Sequence, residues 1–170
     1  MVFFELFKHE IVHFLLTILA AAVTYILVRK NSTLSNRRIR GAGKKLARKL
    51  LPVIGLGAFI GEFLLDADHL FDYFVAFGFD FQAHQFFRGD MFDKLQKVFV
   101  PLHSWELLPV LAIFIYLTKN KTLKYFFISL TLGFLFHMVY DTSYNHITIG
   151  YSLLYRILHG FDINSVVLPH

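Results

Sequence analysis

From Ile11 to Val28 the chain runs for eighteen residues without an Asp, Glu, Lys or Arg. As a helix that stretch is ~27 Å long, close to the roughly 30 Å hydrocarbon core of a bilayer. Further apolar blocks follow at about 50–65, 105–118 and 124–140. The second and third blocks reach a spanning length by extending into their flanks or by local thinning of the bilayer. Hydrophobic residues make up 56% of the 170 and charged residues 17%, with a mean hydropathy of +0.54, a balance that argues against an ordinary water-soluble domain. The expected fold is an all-α integral membrane protein, with about four transmembrane helices in an up-and-down bundle and residues 1–170 forming a single membrane domain. Ala20, Ala21 and Ala22 are small enough for a signal-peptide cleavage site, but the apolar run continues to Val28, so the block reads as a retained helix.

Two segments are expected to lie along the membrane as interfacial helices. Residues 73–99 are rich in Phe yet carry Asp80, Arg88, Asp90, Asp93, Lys94 and Lys97, and residues 147–158 are interrupted by Gly150 and Arg156. Arg29, Lys30, Arg37, Arg38, Arg40, Lys44, Lys45, Arg48 and Lys49 form one basic stretch without an acid among them, and Lys119, Lys121 and Lys124 form another. Between apolar blocks such runs set topology and hold anionic lipid headgroups, so membrane lipid is the expected contact and no nucleic-acid partner is expected. In an up-and-down bundle both stretches fall on one side. By the positive-inside rule that side is cytoplasmic in a multi-pass protein of the cell membrane.

The costly polar residues fall on the opposite, extracytoplasmic side. His13 lies in the first turn of the first span; Asp66, Asp68, His69 and Asp72 follow the second; His103 precedes the third; His137 and Asp141 close the fourth. Residues of this kind in or near lipid face a bundle interior, a cavity or one another. Glu62, Asp66 and His69, at intervals of four and three, share one helical face that Asp72 continues. Asp68 joins them only if the helix ends or bends near Asp66. Ser129, Gly133, His137 and Asp141 form a column at intervals of four, and Gly57 and Gly61 offer the second span a matching face for close approach.

The chain has no Cys, so a metal would be held by His and carboxylates, a set suited to zinc first and also to manganese or iron. The candidate ligands of a divalent metal are His13, Asp66, His69, His103, His137 and Asp141. Asp72 and Glu106 are candidates for supporting them, Glu106 by orienting a ligand His. An open coordination position would activate water for hydrolysis, with Asp68 or Glu10 as the candidate catalytic proton acceptor.

Taken in order, His13, the run Asp66-Ala67-Asp68-His69, the pair His103-Ser104, and His137 with Asp141 and Thr142 resemble the motifs of a known family. These are the membrane-bound metal-dependent hydrolases related to a LexA-regulated bacterial inner-membrane protein. The resemblance runs from His13 to about Asn145. It departs at Leu65, where the family often has Pro, and at Val98-Phe99, where it often has a His-Arg pair. It implies hydrolase activity with bound metal, and it adds Ser104 and Thr142 to the supporting residues. The His137-x-x-x-Asp141 spacing is also similar to that of zinc-dependent phospholipases C, which implies a phosphoester. A lipid-like substrate suits a site at the membrane face. Arg88, Lys94 and Lys97 are placed either to hold its phosphate or to snorkel at the interface.

Two other readings use overlapping residues. His9-Glu10-Ile11-Val12-His13 matches the zincin pattern of an intramembrane zinc protease, although the Asn-Pro and Leu-Asp-Gly motifs of the site-2 class are absent from the sequence. A non-enzymatic metal-binding or transport protein would use the same ligands, but a transporter favours the bilayer midplane, whereas these residues gather at one end. His146 could support the ligands, and His159 and His170 read as solvated or interfacial. The expected function is a membrane-embedded metal-dependent hydrolase acting on a phosphoester or ester of a lipid-like substrate.

Overall fold

The computed structural model describes residues 2–31, 37–147 and 149–166, and the side chains among them except those of 2–7, 31 and 37–43. Nine α-helices are found among the described residues: α1 Val2–Asn31, α2 Arg37–Phe63, α3 His69–Phe77, α4 Ala83–Arg88, α5 Asp90–Leu95, α6 Leu107–Leu117, α7 Lys121–Asn145, α8 Leu153–Leu158 and α9 Ile163–Val166. Short 3-10 turns cover Asp66–Asp68 and Ile149–Tyr151, and an isolated bridge pairs Lys97 with Asp162. Two compact units divide the chain. A long-helix unit comprises Ile11–Phe63 and Leu108–His137; a short-helix unit comprises Met1–Glu10, Leu64–Leu107 and Met138–His170.

Two helical stretches, Lys8–Lys30 and Lys121–Asn145, are long and apolar enough to cross a membrane, and a third is added if Lys44–Phe63 and Asp66–Phe77, broken between, form one span. This is fewer than the four expected. The difference lies at 105–118, where the expected span is the 11-residue α6, only ~17 Å long and short of a bilayer. Turns involving Ser104 precede it, Leu107 N–H donating to the Ser104 carbonyl at 3.1 Å. The chain breaks again after Leu117, and the Asn120 side chain accepts from the N–H groups of Thr122 (2.9 Å) and Leu123 (3.2 Å), starting α7 afresh.

In the long-helix unit the usual inside-out order is reversed. The buried residues of α1 include His13, Ala20, Thr24 and Val28, while Phe14, Leu15, Ile18 and Leu19 are exposed. A lipid-facing surface accepts large apolar side chains, and small residues let helices approach. Thr24 Oγ1 donates to the Ala20 carbonyl at 2.9 Å, so its buried hydroxyl is satisfied. The α2 and α7 backbones meet through glycines: a Cβ at Gly57 would stand 2.6 Å from the Phe126 carbonyl oxygen, and one at Gly133 2.6 Å from that of Ala58. Ser129 Oγ donates to the Ile54 carbonyl across the same contact at 2.7 Å. The small-residue column read from the sequence is thus a helix-packing seam. Val28, Ala47, Leu50 and Ile54 form the apolar core beside it.

The short-helix unit is built by loops folding onto one another. Tyr73 is fully buried, and its hydroxyl accepts from Gln82 N–H (2.9 Å) and donates to the Asp80 carbonyl (3.1 Å). This closes the chain after α3 around an aromatic cluster that includes Phe77, Phe81 and Phe86. The tail is stitched to residues 96–105 by Val98 N–H to Phe161 O (2.9 Å), Ile163 N–H to Gln96 O (3.1 Å) and Trp105 N–H to Tyr151 O (3.1 Å). Gly150 is required there, because a Cβ would stand 2.6 Å from the Val166 carbonyl oxygen.

Candidate metal centre

The short-helix unit holds one loop, residues 99–103, with charged groups on both kinds of backbone atom. Asp72, in the first turn of α3, accepts from the N–H groups of Phe99 (3.0 Å) and Val100 (3.3 Å). Asp68, ending the 3-10 turn, accepts through Oδ2 from those of Leu102 (2.7 Å) and His103 (3.2 Å). The Arg156 guanidinium, wholly buried, donates to the carbonyls of Phe99 (2.7 Å), Val100 (3.0 Å) and His103 (2.8 Å). Such charge-assisted bonds are the strong ones, and they hold Val100, a β-branched residue, at a φ of +27° that it would otherwise avoid.

The loop presents His103. Its Nδ1 lies 2.9 Å from Asp68 Oδ1, the arrangement in which Nδ1–H donates to a carboxylate and the Nε2 lone pair is left for a ligand. Nε2 in turn lies 3.4 Å from Asp66 Oδ1 and 3.5 Å from Asp141 Oδ2. Donors bound tetrahedrally at ~2.0–2.1 Å stand ~3.3 Å from one another, so these separations fit a shared zinc-sized ion. His69 adds its ring, with its centroid 4.9 Å from that of His103 and its Nε2 3.9 Å from Asp66 Oδ1. Its Nδ1 is buried without a hydrogen-bond partner among the described residues. The donor set therefore fits a divalent metal. Asp66 and His69 side chains are 30% and 29% exposed, which opens the cluster to solvent on their side.

Burial alone would pull the His103 imidazole down, but Asp141, Asp66 and Asp68 outweigh it and hold the ring well above its ordinary value.

The other expected residues fall as follows. His13 and His137 belong to the long-helix unit and flank Glu62: His13 Nδ1 is 3.0 Å and His137 Nδ1 3.7 Å from Glu62 Oε2. Glu10 is half-buried on α1. His9, its neighbour, sets Nε2 3.6 Å from Asp141 Oδ1 and packs against Tyr140 and Tyr144. Thr142 Oγ1 is buried without a hydrogen-bond partner among the described residues.

Glu106 does something other than orient a His. It accepts from the Ser104 and Ser152 hydroxyls (2.5 Å each) and from the N–H groups of Leu153 and Leu154 (3.1 Å each), so it caps α8. Burial pushes its carboxyl up, but those donors prevail and hold it at about 2. Of the phosphate candidates, Arg88 pairs with Asp90 at 3.1 Å and Lys94 stands over the Phe77 ring at 4.3 Å. His84, His146 and His159 are exposed, and His170 lies outside the described residues.

Two contributors, Glu62 and Arg156, have no assigned role in the sequence. Glu62 is visible only as part of a helical face, whereas His9 enters through the zincin pattern and, with Glu10, as a candidate to join the site around His13. Arg156 carried no sequence signal, since a lone Arg in an apolar run reads equally as snorkelling. No family model, curated protein or solved structure matches this chain.

Proposed function

We propose that the protein is a membrane-embedded metal-dependent hydrolase acting on a phosphoester or ester of a lipid-like substrate. The observation that carries the reading is His103, backed by Asp68 at Nδ1 and facing Asp66 and Asp141 at Nε2. Asp66, His103 and Asp141, with His69 beside them, would hold the ion, zinc first among first-row metals. A divalent metal held there supplies Lewis acidity toward an ester oxygen and makes a nucleophile available from water near neutral pH.

The chain's own groups do the rest. Asp68 keeps the His103 ring in one tautomer and orientation, and its oxygens are already engaged by Leu102 and His103. Of the two expected proton acceptors this leaves Glu10, beside His9 on α1. Asp72 and Arg156 fix the loop so that His103 need not reorganise when substrate arrives. The partial exposure of Asp66 and His69 provides the approach for a substrate. The resemblance to metal-dependent membrane hydrolases points to the same chemistry, and the positive-inside rule puts the basic loops in the cytoplasm and this centre on the extracytoplasmic face.

The test measures metal content and hydrolysis of a phospholipid and ester panel by protein purified without chelator. His103→Ala and Asp141→Asn should each lose this ion and all turnover, while Glu10→Gln should keep the metal and lose turnover. Wild-type metal content kept in full by both His103→Ala and Asp141→Asn would sink the assignment. A loaded wild type that turns over none of the panel would favour the non-enzymatic metal-binding or transport reading.

A further inference from the structure

The long-helix unit contains its own cluster, made only of residues from α1, α2 and α7. His13, Glu62 and His137 are each 0% exposed. Glu62 Oε2 is approached by His13 Nδ1 at 3.0 Å and His137 Nδ1 at 3.7 Å, and the two imidazole rings stack with centroids 4.3 Å apart. Glu62 Oε1 is buried with no hydrogen-bond partner among the described residues. One oxygen of the carboxylate thus faces two ring nitrogens and the other faces none.

A buried carboxylate needs a compensating charge and partners for its lone pairs. One protonated His supplies the charge but leaves Oε1 unsatisfied. Two protonated rings would set like charges against each other in a low-dielectric interior. A single dication resolves both difficulties: two imidazole nitrogens and the carboxylate oxygens make a donor set for a zinc-class ion, and the full burial of all three residues closes it to bulk water. The 3.0 and 3.7 Å separations bracket the ~3.3 Å between donors of a zinc-sized ion.

We infer that His13, Glu62 and His137 form a second, closed metal site that cross-links α1, α2 and α7 and has a structural rather than a catalytic role. It takes a borderline divalent ion of the zinc class. The site stands on the long-helix unit alone and does not depend on the hydrolase reading.

The test counts metal per chain by elemental analysis on folded, monodisperse protein, with zinc as the probe and cobalt(II) as its spectroscopic substitute. Wild type should hold two equivalents. The double variant His103→Ala/Asp141→Asn should hold one, with the absorption of four-coordinate cobalt intact, and adding Glu62→Gln should abolish both the band and the remaining equivalent. His137→Asn is the second variant should Glu62→Gln fail to fold, and it should lose the same equivalent. A double variant that binds no metal, or Glu62→Gln or His137→Asn protein that keeps both equivalents, overturns the site. One equivalent in wild type, lost on Glu62→Gln and unaffected by the double variant, would uphold this site while removing the hydrolytic centre.

Discussion

Arg156 shows how one side chain can decide a site it never touches. Its guanidinium holds three carbonyls of the loop that presents His103, while Asp68 and Asp72 take the loop's N–H groups. Removing a buried charge leaves its partners uncompensated, which costs about 3 kcal/mol or more. Arg156→Met should therefore destabilise the protein by about that amount in denaturation measured in detergent. Arg156→Lys keeps the charge but lacks the planar fork that reaches several acceptors. It should weaken metal binding at the His103 centre, read by competition with a chromophoric chelator. Unchanged affinity in Arg156→Lys would mean that the loop holds His103 without the fork.

At the scale of elements, the α2–α7 seam makes a sharp demand on two glycines of the same helix. A Cβ at Gly61 would run into the Leu130 carbonyl oxygen, whereas one at Gly55 meets nothing within 4 Å. Gly61→Ala should cost about 1–3 kcal/mol through forced separation of the helices. Gly55→Ala should be neutral or stabilising by about 0.5–1 kcal/mol, since Ala is the better helix former. Equal melting temperatures for the two variants would contradict the seam. The cap of α8 is testable through pH. Glu106 is held at about 2 against an ordinary 4.5, so folding favours its ionised form. The stability it contributes is present above pH ~4.5 and is lost as pH falls from there through about 2. Glu106→Gln should flatten the acid limb of the stability curve in that window, and an unaltered limb would remove the cap's electrostatic role.

For the whole molecule, the proposed orientation and metal dependence give two further expectations. With basic loops cytoplasmic, a Cys at Asn120 should be protected from a membrane-impermeant thiol reagent in intact cells, and a Cys at Gln82 should react. The reverse pattern would place the His103 centre on the cytoplasmic side. Stripping metal should lower the melting temperature in detergent, because an ion bound to the folded state alone stabilises by mass action, about 2.7 kcal/mol at one hundred times its dissociation constant. A chelated, metal-free sample that melts with the loaded one would argue against both centres.

The helical character, with stretches long and apolar enough to cross a membrane, was legible in the chain, because a bilayer demands long uncharged stretches, and such stretches are a property of order along the sequence. The seam of Gly57, Gly61, Ser129 and Gly133 was legible for the same reason: spacing along a helix determines its face. Span number was legible only in part. The block at 105–118 has the composition of a span, but turns ahead of it and a fresh helix start at Asn120 shorten it to α6. The candidate ligands could be named from residue type and position, yet their grouping could not. His13 and His137 gather around Glu62 in one unit, and Asp66 and Asp141 gather around His103 in the other, with His69 beside the His103 ring. The roles of Asp68, Glu106 and Arg156 depended on tertiary structure most of all. Each acts on backbone groups tens of residues away, and a backbone N–H or carbonyl leaves no mark in the sequence to show which side chain will claim it.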